Sequence, residues 1–293
     1  MNIENDIKVS VCVVTYNQEN YIAQCLESLV NQETNFRYEI IVGEDCSTDG
    51  TRAIVQRYVE KYPDLIVPLF YKDNIGAVAN MKQVYKVAKG KYIAHMDGDD
   101  LALPEKLQQQ FDVLEENIDC NICTHNAFRV DINNNIMETH IEYPEGKYTL
   151  LNLFQKFPFF THSTKMFRNK YSHEFWDNLL KTSNIFDSDV HIENAIDGHI
   201  YHINNKLGKY RVGSGITNKN GKYNSLFVDA QVRGYERGMQ IFYQDVNSLK
   251  IVKYHYALSM LQQAYNYAVY DKDVKKFNYY VNKSVDIKFI GFK

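Results

Sequence analysis

The first 117 residues alternate short apolar runs with longer segments whose apolar positions recur at helical spacing. Residues 8–16, 38–45, 65–71 and 91–96 read as strands. Residues 19–32, 47–63 and 76–90 read as the helices between them. The first helix carries Ile22, Cys25, Leu26, Leu29 and Val30 on one face, and the second carries Ile54, Val55, Tyr58 and Val59. Asn17 is a candidate N-cap for the first. Ser47 and Asp49 suit the start of the second, Pro63 ends it, and Gly90 closes the third. Pro68 cannot donate to a sheet ladder, which suggests an edge strand or irregular pairing for the third strand. A fourth helix opens near Pro104. Strands alternating with helices of about 12 residues predict βαβ units, hence an α/β fold with a mainly parallel sheet flanked by helices.

Beyond residue 120 the pattern is less regular. Residues 121–130 and 136–143 read as a strand pair around "DINNN", and 150–180 as helix and loop. Residues 198–213 read as two short strands, 214–225 as a polar loop or linker, and 226–289 as largely helical, with 254–270 the clearest helix. The expected division is a sheet-bearing domain over 1–220 and a C-terminal helical extension over 221–293.

Three strand ends are polar: Thr15-Tyr16-Asn17, Glu44-Asp45 and Asp97-Gly98-Asp99-Asp100. Ligands of open α/β sheets bind beyond the carboxyl ends of the strands, so remote polar clusters that converge there form a site pattern. Adjacent carboxylates repel one another and are costly to desolvate. Hard divalent cations favour oxygen ligands, and Mg²⁺ is often held by one or two carboxylates plus substrate phosphates. The alternative is that Asp99 or Asp100 caps the helix near Pro104. Asp45 is the preferred acceptor for a nucleobase N–H or a ribose hydroxyl at the second strand end. No P-loop and no GxGxxG is present.

Composition narrows the classes. The 293 residues are 45% hydrophobic and 24% charged, with 23 Tyr and 16 Phe, enough for one large domain and an appendage. A net charge of −3 argues against a general nucleic-acid binder. The polar N-terminus lacks a signal core, no run of about 18 apolar residues could span a membrane, and the five cysteines are an odd number. The chain reads as cytoplasmic and reduced. Cys120 and Cys123 with His125 lack the second ligand pair of a structural zinc site, so a strand with incidental cysteines is expected.

The stretch from Lys8 to about Gln110 resembles the family 2 glycosyltransferases of GT-A fold. The resemblance rests on "VSVCVVTYNQENYIAQCLESLVNQ", "YEIIVGEDCSTDGTRAIVQRY", "NIGAVANMKQVYKVAKGKYIAHMDGDD" and "PEKL". The bacterial branch that builds surface polysaccharides is the most similar. The resemblance implies a nucleotide-diphosphate sugar donor, usually a UDP-sugar, and a saccharide or lipid-linked acceptor. It implies inversion at the anomeric carbon and a Mn²⁺ or Mg²⁺ ion. It puts Thr15, Tyr16 and Asp45 around the base and Asn80 in the nucleotide-binding set. Asp97 and Asp99 match the DxD-type motif at ribose and metal, with Asp99 as metal ligand. Counting back from Gly198 puts the catalytic base at Asp187, with Asp189 and Glu193 as alternatives. All three could instead be a solvated helix N-terminus.

Two positions depart from the family pattern. Gly213 stands where many relatives have His, and Ala79 where many have Arg. Arg211 is a substitute contact for the diphosphate or, alternatively, a structural ion pair. In "FPFFTHSTKMF", His162 could bond an acceptor hydroxyl, while Phe157, Phe159, Phe160 and Trp176 could stack on a sugar or pack the core. Competing readings are an NDP-sugar nucleotidyltransferase, whose glycine-rich basic loop "VVTYNQENY" lacks, and a non-catalytic sugar-nucleotide binder. Residues 250–293 carry eight lysines against three aspartates, interleaved with aromatics. That tail suits either a peripheral contact with the inner face of the cell membrane or packing on the catalytic domain or a second subunit. The spacing of Tyr254, Leu258, Leu261 and Tyr265 fits packing.

Overall fold

The computed structural model describes residues 6–179, 187–214 and 225–287. The linker expected over 214–225 lies, from 215 to 224, outside the described residues. The chain forms two compact units. The first comprises Met1–Lys147, Phe160–Ile185 and Asp197–Ser214; the second comprises Tyr148–Phe159, Phe186–Ile196 and Gly215–Lys293.

In the first unit, β1 (Val9–Thr15), β2 (Tyr38–Glu44), β3 (Ile66–Phe70) and β4 (Tyr92–Asp97) alternate with α1 (Ile22–Val30), α2 (Thr51–Lys61) and α3 (Ala77–Val87). Along the chain then come β5 (Leu101–Ala102), α4 (Lys106–Glu116), β6 (Cys120–Val130), β7 (Gly146–Tyr148), α5 (Leu150–Gln155), β8 (Met166–Arg168), α6 (His173–Leu179), α7 (Asp187–Ala195) and β9 (His199–Arg211), of which α5 and α7 belong to the second unit. The sheet order is β3-β2-β1-β4-β8-β6-β9-β5, with β7 beside β9. β3, β2, β1 and β4 are mutually parallel, as are β6 and β9; β8 is antiparallel to both its neighbours. The mainly parallel α/β sheet is thus present, and Pro68 sits on the edge strand.

The central strands are buried on both faces, which is why they read as unbroken apolar runs. Val9, Val11 and Val13 of β1 and Ile40 and Val42 of β2 join one core with Ile22, Cys25, Leu26 and Leu29 of α1. Val30, expected on that face, is only half-buried at its rim. Burying a Leu or Ile stabilises by roughly 1.5–3 kcal/mol, and Leu26→Ala would cost about 2–5 kcal/mol once the cavity is included. Cys120 and Cys123 lie buried on β6; burial pushes the Cys120 thiol up to about 11 and Cys123 well above its usual value.

Three local expectations need correction. Asn17 does not cap α1: it is left-handed (φ 52°), and its Oδ1 accepts the Thr48 amide at 2.8 Å. Within 198–213 lies a single 13-residue strand, His199–Arg211, because β9 pairs on through register irregularities opposite β6. Residues 136–143 contribute only isolated bridges, Ile136 to Val130 and Ile141 to Ala127.

The second unit contains α5, α7, α8 (Ser225–Ile241), α9 (Val246–Asn266) and α10 (Val274–Asp286). Asp245 and Asp273 cap α9 and α10 by accepting backbone N–H bonds in their first turns. The face that α9 buries is Val252, Tyr256, Ala257, Met260, Gln263 and Ala264. Tyr254, Leu258, Leu261 and Tyr265 do not form its packing face: they are 41%, 43%, 45% and 55% exposed. Apolar residues all round this helix made either stripe a candidate. Among the described residues, no helix is long and apolar enough to cross a membrane.

Candidate functional site

Strand register gathers the polar ends. Thr15 lies opposite Glu44, and Val14 opposite Asp97, so the ends of β1, β2 and β4 share one edge of the sheet. Gly98 turns the chain there at close quarters. A Cβ at that position would stand 2.5 Å from Gln18 Oε1 and 2.9 Å from Thr15 Cβ.

Each predicted residue has a definite place. Thr15 is buried, and its hydroxyl donates to Gln18 Oε1 at 2.8 Å, while Tyr16 is 45% exposed at the edge. Asp45 is buried and organises the next loop: its carboxylate accepts the Ile75 and Gly76 amides at 2.7 and 2.9 Å. Burial raises its pKa, and those two amides pull the other way. Glu44 is committed to Arg52 and to the Ser47 amide. Asn80 is buried against the last residues of β2. Its Nδ2 donates to Gly43 O at 2.7 Å, and a side chain at residue 43 would collide with its Oδ1 at 1.8 Å.

The carboxylate cluster is held by serines and by Arg211. Ser163 Oγ accepts the Asp97 amide at 3.0 Å and donates to Asp97 Oδ2 at 3.2 Å. His95 Nε2 lies 3.2 Å from Asp97 Oδ1. Ser214 Oγ donates to Asp99 Oδ2 at 2.6 Å, and Arg211 N donates to Asp100 Oδ1 at 2.8 Å. Neither Asp99 nor Asp100 caps α4, whose N-cap is Glu105 with no side-chain cap bond. The alternative to a ligand site therefore loses its structural basis.

Arg211 does not offer its guanidinium to a ligand. It is 3% exposed, donates to Asp99 O, Asp131 O and Asn134 Oδ1, and lies 4.5 Å over the Tyr21 ring. It braces the cluster from beneath. Lys106, at the start of α4, is fully buried as well, and burial lowers it to about 8. Among the described residues, no Lys or Arg side chain forms an ion pair with Asp97, Asp99 or Asp100. Burial and then the charge of Asp97 raise Asp99; burial and then its two neighbours raise Asp100 well above the carboxylate range. The protein leaves a deficit of positive charge here.

His162 sits on a short 3₁₀ turn, 4% exposed, with Nε2 3.0 Å from Tyr85 Oη. Phe159, Phe160 and Trp176 are buried and pack like core residues.

The acidic candidates of α7 belong to the second unit. Asp189 pairs with Arg233 at 3.3 Å and Glu193 with Arg237 at 2.9 Å, two rungs between α7 and α8. Asp187, in the first turn, is exposed.

Reading the sequence alone missed Ser163, Ser214 and the Tyr85–His95 pair. His95 had one signal: two residues before Asp97 on a strand, it points to the same face.

A family model described as glycosyl transferase family 2 matches residues 10–176. A curated relative, a putative teichuronic acid biosynthesis glycosyltransferase (TuaG) of Bacillus subtilis, is 36% identical over 108 residues, 37% of this chain and 42% of that protein. The chain spans between 34% and 52% of the length of the first curated relatives it matches. Among solved structures, residues 1–349 of S. aureus TarS in complex with UDP-GlcNAc superpose with a TM-score of 0.57 at 19% identity, covering 98% of this chain and 94% of that one. The mannosyltransferase PcManGT from Pyrobaculum calidifontis, in complex with GDP-Man and Mn²⁺, gives 0.57 at 13% identity, covering 99% and 89%.

Proposed function

The chain belongs to glycosyl transferase family 2, and from that premise we propose that it is an inverting, metal-dependent transferase acting on a nucleotide-diphosphate sugar. A UDP-sugar is the first choice of donor, and the acceptor is a saccharide or lipid-linked saccharide of a surface polysaccharide. The GT-A arrangement gives the strand-end edge to the nucleotide. Thr15, Tyr16 and Asp45 border the base, Asp97 contacts the ribose, and Asp99 binds the metal. Asn80, in the nucleotide-binding set that the family resemblance implies, also packs α3 against β2. TarS with UDP-GlcNAc, PcManGT with GDP-Man and Mn²⁺, and the role in TuaG's name favour this reading.

One observation carries it: three neighbouring carboxylates without an ion-paired Lys or Arg among the described residues, two of them with raised pKa values. Such a cluster fits Mg²⁺ or Mn²⁺. No three acidic, His or Cys side chains of the described residues converge on one ion, so Asp99 would hold the ion with help from substrate phosphate oxygens and water. When bound, the ion offsets the charge that gathers on the departing nucleotide. Ser163 and Ser214 orient Asp97 and Asp99 for that contact, and Arg211 keeps the turn from opening.

Asp187 is the proposed base that takes the proton of the acceptor hydroxyl as the new bond forms. The choice over Asp189 and Glu193 rests on the family's spacing back from Gly198; Asp189 and Glu193 pair with Arg233 and Arg237. A contact with a membrane surface or a second copy through the C-terminal region would use the exposed stripe of α9. Nucleotide release from a panel of NDP-sugars, with and without Mn²⁺, tests the reading. Release from none of them, with a range of saccharide acceptors present, would overturn it.

A further inference from the structure

Behind the carboxylates runs a buried hydrogen-bonded chain. His95 Nε2 lies 3.2 Å from Asp97 Oδ1, His95 Nδ1 2.9 Å from Tyr85 Oη, and Tyr85 Oη 3.0 Å from His162 Nε2. The three side chains come from β4, α3 and the 3₁₀ turn at His162–Thr164, and all are at most 4% exposed. The two imidazoles meet edge to face with centroids 3.7 Å apart, and Tyr85 is wedged between His95, Phe167 and Trp176.

Hydrogen counting fixes the polarity. A carboxylate only accepts, so His95 carries its proton on Nε2. Burial disfavours a second proton on that ring, leaving Nδ1 bare to accept from the Tyr85 hydroxyl. That hydroxyl has a single hydrogen, so its oxygen accepts from His162 Nε2–H. The chain runs His162 → Tyr85 → His95 → Asp97. Ser163, beside His162, grips the other carboxylate oxygen. Each oxygen of Asp97 thus has a partner supported by the same short turn.

From this geometry we infer that Tyr85 and His95 are positioning residues of the donor site, fixing the Asp97 carboxylate and tying its orientation to His162. The inference rests on the proposed contact of Asp97 with the nucleotide. It gives this chain a specific reason for His95: an apolar residue there would leave Asp97 Oδ1 without its internal donor.

The test uses Tyr85→Phe, which keeps the ring packed against Trp176 and Phe167 and removes only Oη. Affinity for UDP with Mn²⁺, measured by calorimetry, should fall about three- to tenfold, the range of one net hydrogen bond. Unchanged affinity in Tyr85→Phe, beside a clear loss in Asp97→Asn, overturns the positioning role and leaves the family reading intact. Unchanged affinity in Asp97→Asn means the nucleotide assignment itself is wrong. Imidazole ¹⁵N spectra follow the chain without nucleotide. Asp97→Asn should move the His162 ring signals in the wild-type background and not in Tyr85→Phe. If His162 does not respond to Asp97→Asn in either background, the chain does not connect them.

Discussion

Two groups of acids in this molecule are treated in opposite ways. On α7, Asp189 and Glu193 each face an arginine of α8, and the protein balances them itself. At the end of β4, Asp97, Asp99 and Asp100 receive hydrogen bonds from serines, a histidine and a backbone amide, and the nearby cations lie outside ion-pair range. Balanced acids stabilise a helix pair. Acids that are oriented but left without a counter-cation impose a cost on the fold that an outside cation would remove. An unbalanced charge marks a ligand better than the mere presence of carboxylates does.

The sharpest break of this contrast is Asp99→Asn. Transfer should fall by about 10³ or more, on the scale of removing a main electrostatic contact of a transition state, with little change in melting temperature. Unchanged Mn²⁺-dependent nucleotide affinity would move the metal elsewhere. Next comes Asp187→Asn, expected to reduce turnover by about 10² while nucleotide binding survives. If Asp189→Asn shows that pattern instead, the α7 ion pair is functional and the contrast fails. As a balanced acid, Asp189→Asn should leave turnover within a fewfold and lower stability by about 0.2–1 kcal/mol, as for a partly exposed pair.

A smaller effect involves Lys106, held at about 8 when folded against about 10.5 for a free lysine. The unfolded chain binds more protons between those values. The contribution of this residue to stability should therefore rise with pH from about 8 to 10.5, by up to about 1.4 kcal/mol per pH unit. The stability of wild type minus that of Lys106→Met, from urea unfolding, should rise over that window. Equal slopes would mean that Lys106 keeps an ordinary pKa. Smallest of all, Glu193→Gln should shift stability by under about 1 kcal/mol, and the shift should vanish in high salt.

The β1-to-α4 half was legible because its strands are continuous apolar runs and its helices keep a single apolar stripe. The acidic cluster at the end of β4 stood out because three acids in four residues have few structural uses. Other features had no local signature. Asn204 and Asn205 mimic a turn, yet they sit exposed within β9 where its register against β6 is irregular. Arg211 looked able to contact a phosphate, because sequence cannot reveal that Asp99, Asp131 and Asn134 already occupy its guanidinium. Asn80 sits in a family motif, but its packing on Gly43 is a fact of tertiary contact. The Tyr85–His95–His162 chain joins residues up to 77 positions apart, beyond any local pattern.

β8 has a consequence for the order of assembly. β3, β2, β1 and β4 can zip together through neighbouring βαβ units, each closing a short loop. In the sheet ladder β6 and β9 join them through the three residues Met166–Arg168, which lie about 70 positions beyond β4. Joining the two halves is thus expected to come late, with the entropy of closing that loop against it. The segment that completes the join also delivers Ser163 and His162 to Asp97. A chain halted before that step would hold a largely formed nucleotide-side sheet with its acidic turn unset. Amide exchange should find the β4–β8 seam opening before the β1–β2 pair.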